Sequence, residues 1–205
     1  MARRREHDRD ALFERALITT RHQIMENGLE GLNARKLAKA IHCSVGTLYT
    51  VIGNLDALIL HLNARTLDDL YSTLSGSLQG LDHQEKLLNL IQSYLQFVKE
   101  NEKLWNTLFE HRLPEGEPLP EWYQQRIERL IGLLEEILAQ ETGDQDPKRI
   151  REWASALWCG IHGITALAGS GKLGILTNAE MDTLAERLVT PFMKGLSAME
   201  MEEKE

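Results

Sequence analysis

The chain has 205 residues, 42% of them hydrophobic and 26% charged. That length bounds it to one or two domains with a sizeable core, and the apolar fraction is too high for a disordered chain. The net charge of −8 argues against nucleic acid when taken whole, yet residues 1–65 carry +3 and residues 66–205 carry −11, which suggests a basic head and an acidic body.

Almost every segment reads as helix, because Leu, Ala, Glu, Gln and Arg dominate and alternating β-branched runs are scarce. The first helix is predicted from residue 8 or 9 to 27, with Leu12, Ala16, Ile24 and Met25 inward and Gly28 as its stop. A short helix follows over 34–40, capped by Asn33. After a turn at 41–43, Ser44 can cap a second short helix to about residue 51. Gly53 breaks it, and Asn54 with Asp56 opens a longer helix to roughly residue 77. Asp82 caps a helix with Leu87, Leu88, Ile91, Leu95 and Val98 at core spacing, and Asn101 the next, with Leu104, Trp105, Leu108 and Phe109. Residues 113–120 (LPEGEPLP) are the clearest loop. Beyond it a helix over about 120–140 presents Ile127, Leu130, Ile131, Leu134 and Leu138. Asp146 and Pro147 form an N-cap and N1 pair for a strongly apolar helix to about residue 168. Thr177 and Glu180 fit a capping box for a last helix to about residue 199, with Pro191 bending it and the terminal MEMEEKE frayed.

Two further features bear on the compartment. No run of about 18 apolar residues exists, and MARRREHDRD has the charge of a signal peptide but no apolar segment behind it. The two cysteines, Cys43 and Cys159, cannot build a disulfide framework. A soluble cytoplasmic protein, with no membrane partner, is the expectation.

The informative region is 31–62. Two short helices joined by a tight turn make a helix-turn-helix, whose second helix fits a major groove about 12 Å wide. Helical spacing buries Leu37, Ala38, Ile41, Leu48 and Ile52, with Val45 in part, and leaves Gly46, Thr47, Tyr49 and Thr50 outward. Hydroxyls can donate to phosphate oxygens, and a glycine permits close approach. Arg35 and Lys36 add the charge that phosphate binding needs. From period and caps alone, the same pair also reads as a helical hairpin in a core.

The string GLNARKLAKAIHCSVGTLYTVIGNLDALI resembles the N-terminal DNA-binding domain of the tetracycline-repressor (TetR) family of bacterial transcription regulators. The resemblance is carried by Gly28 and Leu32, by Leu37 and Ala38, by Val45-Gly46-Thr47-Leu48-Tyr49, and by Asn54, Leu58 and Ile59. It covers about residues 8–62. It implies a three-helix DNA-binding head over 1–62, joined by a long helix to a regulatory and dimerisation bundle over 63–205, about nine helices in all. By this resemblance Thr47 and Tyr49 contact phosphates, while Arg35, Ser44, Val45 and Thr50 can face base edges. Arg35 is open to three readings: guanine recognition, a phosphate contact or a solvated charge. Ile52 stands where the family usually has an aromatic. Leu55 stands where it usually has a lysine, so backbone affinity leans on Arg3, Arg4, Arg5, Lys36 and Lys39.

For the body, the resemblance implies that the last two helices pack against their copies across a two-fold axis. Ala156, Gly160 and Gly163, with Leu184 and Leu188 on the last helix, are the expected interface. Trp158, His162 and Gly163 look like the tryptophan–histidine–glycine pattern of one C-terminal subgroup. Aromatics concentrate in the body, and Trp105, Phe109, Trp122, Tyr123, Trp158 and His162 either line an effector pocket or fill a core.

Enzymatic and metal readings find little support. The segment Gly169-Ser170-Gly171-Lys172 fails as a phosphate loop, since Ala166 stands at its first glycine position and Leu173 replaces the Ser/Thr. Cys159 and His162 share a helical face but have no second ligand pair nearby in sequence. There is no Gly-x-Ser-x-Gly elbow and no His-Glu-x-x-His. The expectation is an all-α, homodimeric regulator without cofactor, metal or catalytic residues. It binds a pseudo-palindromic operator in double-stranded DNA, as a repressor released by a small apolar or aromatic effector. The rivals are a DNA-binding regulator with no small-molecule effector and a helical enzyme.

Overall fold

The computed structural model describes the backbone of residues 2–203 and the side chains of residues 8–82 and 85–196. Its helices are α1 (Ala2–Asn27), α2 (Ala34–Ala40), α3 (Val45–Ile52), α4 (Leu55–Ser77), α5 (His83–Glu100), α6 (Glu102–Glu110), α7 (Glu121–Thr142), α8 (Pro147–Gly169), α9 (Leu173–Leu176) and α10 (Met181–Glu203). A 3-10 turn, Leu29–Gly31, follows α1. The described residues contain no strand, and no single helix among them is long and apolar enough to cross a membrane.

Local chemistry sets most of the boundaries. Asn33 Oδ1 accepts the Arg35 and Lys36 amides that open α2, and Ser44 Oγ accepts the Thr47 amide of α3. Asp146 caps α8 at Lys148, with Pro147 in the first turn, where its missing N–H costs nothing. Gly28 and Gly53 end α1 and α3 at φ +72° and +78°, a region most side chains avoid.

The chain divides into two compact units, Met1–Asp68 with Asn101–Gln124, and Asp69–Glu100 with Gln125–Glu205. The boundaries fall inside α4, between α5 and α6, and inside α7. The reason is Leu104 of α6, which belongs to the head's core beside Ala16, Leu17, Ile24, Leu37, Leu48 and Leu58. Lys103 Nζ adds a hydrogen bond to the Glu26 carbonyl at 2.6 Å, placing a cation at the negative end of α1. In the second unit α10 packs on α8 and α5, and α5 on α8. Lys99 Nζ meets Asp182 Oδ2 at 2.6 Å across the α5–α10 contact.

Several expectations fail in their details. Met25, Leu88, Phe109 and Ile127, read as inward, are 38–49% exposed. Met25 lies about 100° around α1 from buried Ile24, whereas Leu88, Phe109 and Ile127 are within about 40° of buried Leu95, Trp105 and Leu134 and are left uncovered all the same. The capping box at 177–180 does not form. Thr177 instead closes the short α9, its hydroxyl accepts the Ala179 amide, and α10 begins at Met181. The last helix continues past 199 to Glu203 with Pro191 inside it. The side chains of Arg3, Arg4 and Arg5, and the end of the expected frayed tail, lie outside the described residues.

Candidate nucleic-acid interface

In the first unit, α1 backs a helix pair whose inner side is sealed. Leu37, Ala38, Ile41, Leu48 and Ile52 are each at most 5% exposed. The outer side carries Arg35, Lys36, Ser44, Gly46, Thr47, Tyr49 and Thr50, all exposed, with Val45 half-buried at its edge. Lys39 is exposed as well. The α2–α3 turn is held from behind by the Arg15 guanidinium, which donates to the Ile41 carbonyl. At its apex His42 adopts φ +58°, the sole described non-glycine residue in left-handed geometry, a region where His is enriched.

The hydroxyls on this surface are oriented by local bonds. Ser44 Oγ and Thr47 Oγ1 lie 2.8 Å apart, and the Thr50 hydroxyl donates to the Gly46 carbonyl at 2.9 Å. Thr47 therefore points along the open first turn of α3, where the helix dipole favours an anion. Asp56, in the first turn of α4, accepts from or pairs with His111 Nε2 at 2.9 Å. That contact ties the segment after α6 to the helix that follows α3. Arg65 Nη2 donates to both Glu14 carboxylate oxygens, 2.5 Å to each, pairing α4 with α1.

The six residues expected at an effector pocket belong to different units. Trp105, Phe109, Trp122 and Tyr123 belong to the first unit, and Trp158 and His162 to the second. Trp105 is buried with Phe109 edge-on at 5.3 Å, and Trp122 stacks on His61 at 4.8 Å. Burial pushes the Tyr123 hydroxyl up to about 12, opposed in part by a hydrogen bond with Asn63. In the second unit Trp158 and His162 stack on one face of α8, rings 6.0 Å apart and nearly parallel. Tyr94 of α5 reaches them, its hydroxyl 3.4 Å from His162 Nδ1 and 3.3 Å from Thr165 Oγ1.

Burial holds His162 below its usual 6.5. The unfolded chain therefore binds the extra proton first as pH falls. Stability from the neutral imidazole is complete above about pH 7, the unfolded-state value being near 6.5, and is lost as pH drops through that value toward the lower folded one. His162→Gln is expected to flatten the fall of melting temperature between about pH 7 and pH 5. Parallel curves for the two proteins would contradict this.

Of the residues expected at a dimer interface, Ala156 is exposed, Gly163 and Leu184 are partly so, and a Cβ on Gly163 would meet nothing within 4 Å. Gly160 is different. A Cβ there would stand 2.6 Å from Leu188 Cδ2 of the same chain, so these two residues serve the α8–α10 packing. Gly160→Leu is expected to lower stability, since overpacking typically costs about 1–3 kcal/mol, more than the helix-propensity gain of about 0.8–1 kcal/mol on replacing glycine. Urea unfolding measures it, and an unchanged midpoint would show that Leu188 moves aside freely.

The family model described as "Tetracyclin repressor-like, C-terminal domain" matches residues 87–192, more than half of the chain. This chain belongs to the tetracycline-repressor-like family. As a member it is a DNA-binding transcriptional regulator, and the all-helical fold agrees with solved structures. A protein of unknown function from Rhodococcus sp. RHA1 superposes with TM-score 0.74 at 20% identity, over 91% of this chain and 95% of that one. FadR of Thermus thermophilus, a TetR-family repressor solved with lauroyl-CoA, gives 0.64 at 20% identity over 91% and 94%. The TetR-family regulator PfmR, also from Thermus thermophilus, gives 0.61 at 17% identity over 87% and 97%. No curated protein sequence matches the chain significantly.

No signal in the sequence separated the aromatics of the first unit from those of the second, because they alternate along the chain. The leucines and isoleucines of the second unit carried no site signal, since their spacing is indistinguishable from ordinary core.

Proposed function

We propose that the protein is a bacterial, cytoplasmic repressor that binds its operator as a homodimer and is released by a small-molecule effector. Two copies of α3 enter successive major grooves of a pseudo-palindromic site, with half-sites about 34–36 Å apart. Thr47 and Tyr49 hold phosphates, Lys36 supplies charge, and Arg35, Ser44, Val45 and Thr50 meet base edges with Gly46 allowing close approach. The observation that carries this reading is the outward hydroxyl and cation set on a helix pair whose opposite side is sealed. Ala156, Gly163 and Leu184 form the partner-facing surface, and no catalytic step is assigned.

An effector acts only through different affinities for the two conformations of the protein. The α4 helix, whose residues belong to both units, is the route assigned to such coupling. Site selection from random duplexes by the full chain tests the reading. Enrichment of a two-fold symmetric motif is expected, whereas a single asymmetric site, or no enrichment, contradicts it.

A further inference from the structure

The outward residues of α3 differ in direction. At about 100° per residue, Thr50 lies about 160° around the helix from both Leu48 and Ile52, the two buried residues of α3. Thr50 is therefore the exposed residue set most directly against the core. Thr47 stands about 60° to one side of it and Tyr49 about 100° to the other, which suits both to the phosphates that flank a groove. Gly46 lies one turn before Thr50 and about 40° around from it. A Cβ at Gly46 would meet only Ser44 Oγ, at 3.8 Å. The backbone can thus come close to a partner where Thr50 points, and a side chain as short as threonine needs that approach to touch a base.

The Thr50 hydroxyl spends its one proton on its own helix, donating to the Gly46 carbonyl at 2.9 Å. What the side chain still presents outward is its γ-methyl. In the major groove the C5-methyl of thymine is the one apolar substituent on a base edge, among donors and acceptors. A methyl laid against a donor or acceptor strips its water and returns no hydrogen bond. Methyl against methyl removes apolar surface from water on both sides. We infer that Thr50 reads thymine through its γ-methyl, so that each operator half-site carries a thymine whose C5-methyl meets this residue. The inference rests on the docking of α3 in the major groove proposed above, and deepens it by naming the base and the group recognised.

A duplex recovered by selection with the full chain is the probe, with deoxyuridine replacing thymine at one symmetry-related pair of positions at a time. Uracil lacks the methyl and keeps every hydrogen-bonding group. At one pair the replacement is expected to weaken binding about fifteenfold, about fourfold per half-site for one methylene-sized group returned to water. At that pair 5-methylcytosine is expected to bind more tightly than cytosine by the same factor, since the two differ only in the methyl. On the protein, Thr50→Ser keeps the hydroxyl and loses the methyl, and Thr50→Val does the reverse. Thr50→Ser is expected to bind the thymine duplex at least about tenfold more weakly than Thr50→Val, and to lose the preference for thymine over uracil. Weaker binding by Thr50→Val than by Thr50→Ser would assign the reading to the hydroxyl oxygen and overturn the inference. A uracil penalty of equal size in wild type and Thr50→Ser overturns it in favour of duplex shape, and so does the lack of any penalty in wild type. If the Thr47→Ala, Tyr49→Phe double variant still binds more weakly in those cases, the docking of α3 stands and the thymine reading alone falls. If no substitution at 47, 49 or 50 changes affinity, the docking falls and the inference with it.

Discussion

The Thr47→Ala, Tyr49→Phe double variant is expected to bind the operator at least about a hundredfold more weakly than wild type, and by the same factor on every operator sequence. A hydrogen bond to a charged group contributes about 1.5–3 kcal/mol, and two of them lost together exceed the roughly 2.7 kcal/mol that a hundredfold change requires. The fold is not the confounding factor. Ser44 Oγ accepts the residue 47 amide whatever the side chain, so the cap of α3 survives, and Tyr49 is 38% exposed. The loss is uniform because phosphates carry no sequence information. The slope of affinity against salt stays unchanged, since no cation is removed, whereas Lys36→Ala lowers it by about one. Anisotropy titrations at several salt concentrations decide the matter, with equal affinities for the double variant and wild type as the contrary result.

The largest effect on stability is expected at Leu48. Its side chain is fully buried where α3 meets the rest of the head's core. Truncating such a leucine typically costs about 2–5 kcal/mol, the lost transfer energy plus a cavity that α1 and α2 only partly close. Leu48→Ala should therefore lower the urea midpoint and remove operator binding even at temperatures where the second unit stays helical. A cost below about 1 kcal/mol would show that the core collapses around the gap.

What could be read from the sequence was local, and what could not was a matter of phase and distance. Asn33, Ser44 and Asp146 declared their helix starts because a cap is made within three residues. The inner stripe of α2 and α3 was legible for the same reason, as these helices are too short to leave a choice of face. In longer helices the apolar residues outnumber the buried places, and Met25, Leu88 and Ile127 are left exposed. Thr177 closes α9 through its backbone N–H, and its hydroxyl accepts the Ala179 amide in place of the residue 180 amide. Gly160 reads as an invitation to a partner helix, but Leu188 of its own chain fills the space. Leu90, Leu130 and Leu157 begin triplets that any packed helix shows, and only the fold brings the three together.

Hydrogen exchange of the protein with and without a duplex recovered by selection tests the central assignment most directly. The account predicts DNA-dependent protection concentrated at residues 35–36 and 44–50. Protection confined to other surfaces, with these amides exchanging as they do in the free protein, would contradict it.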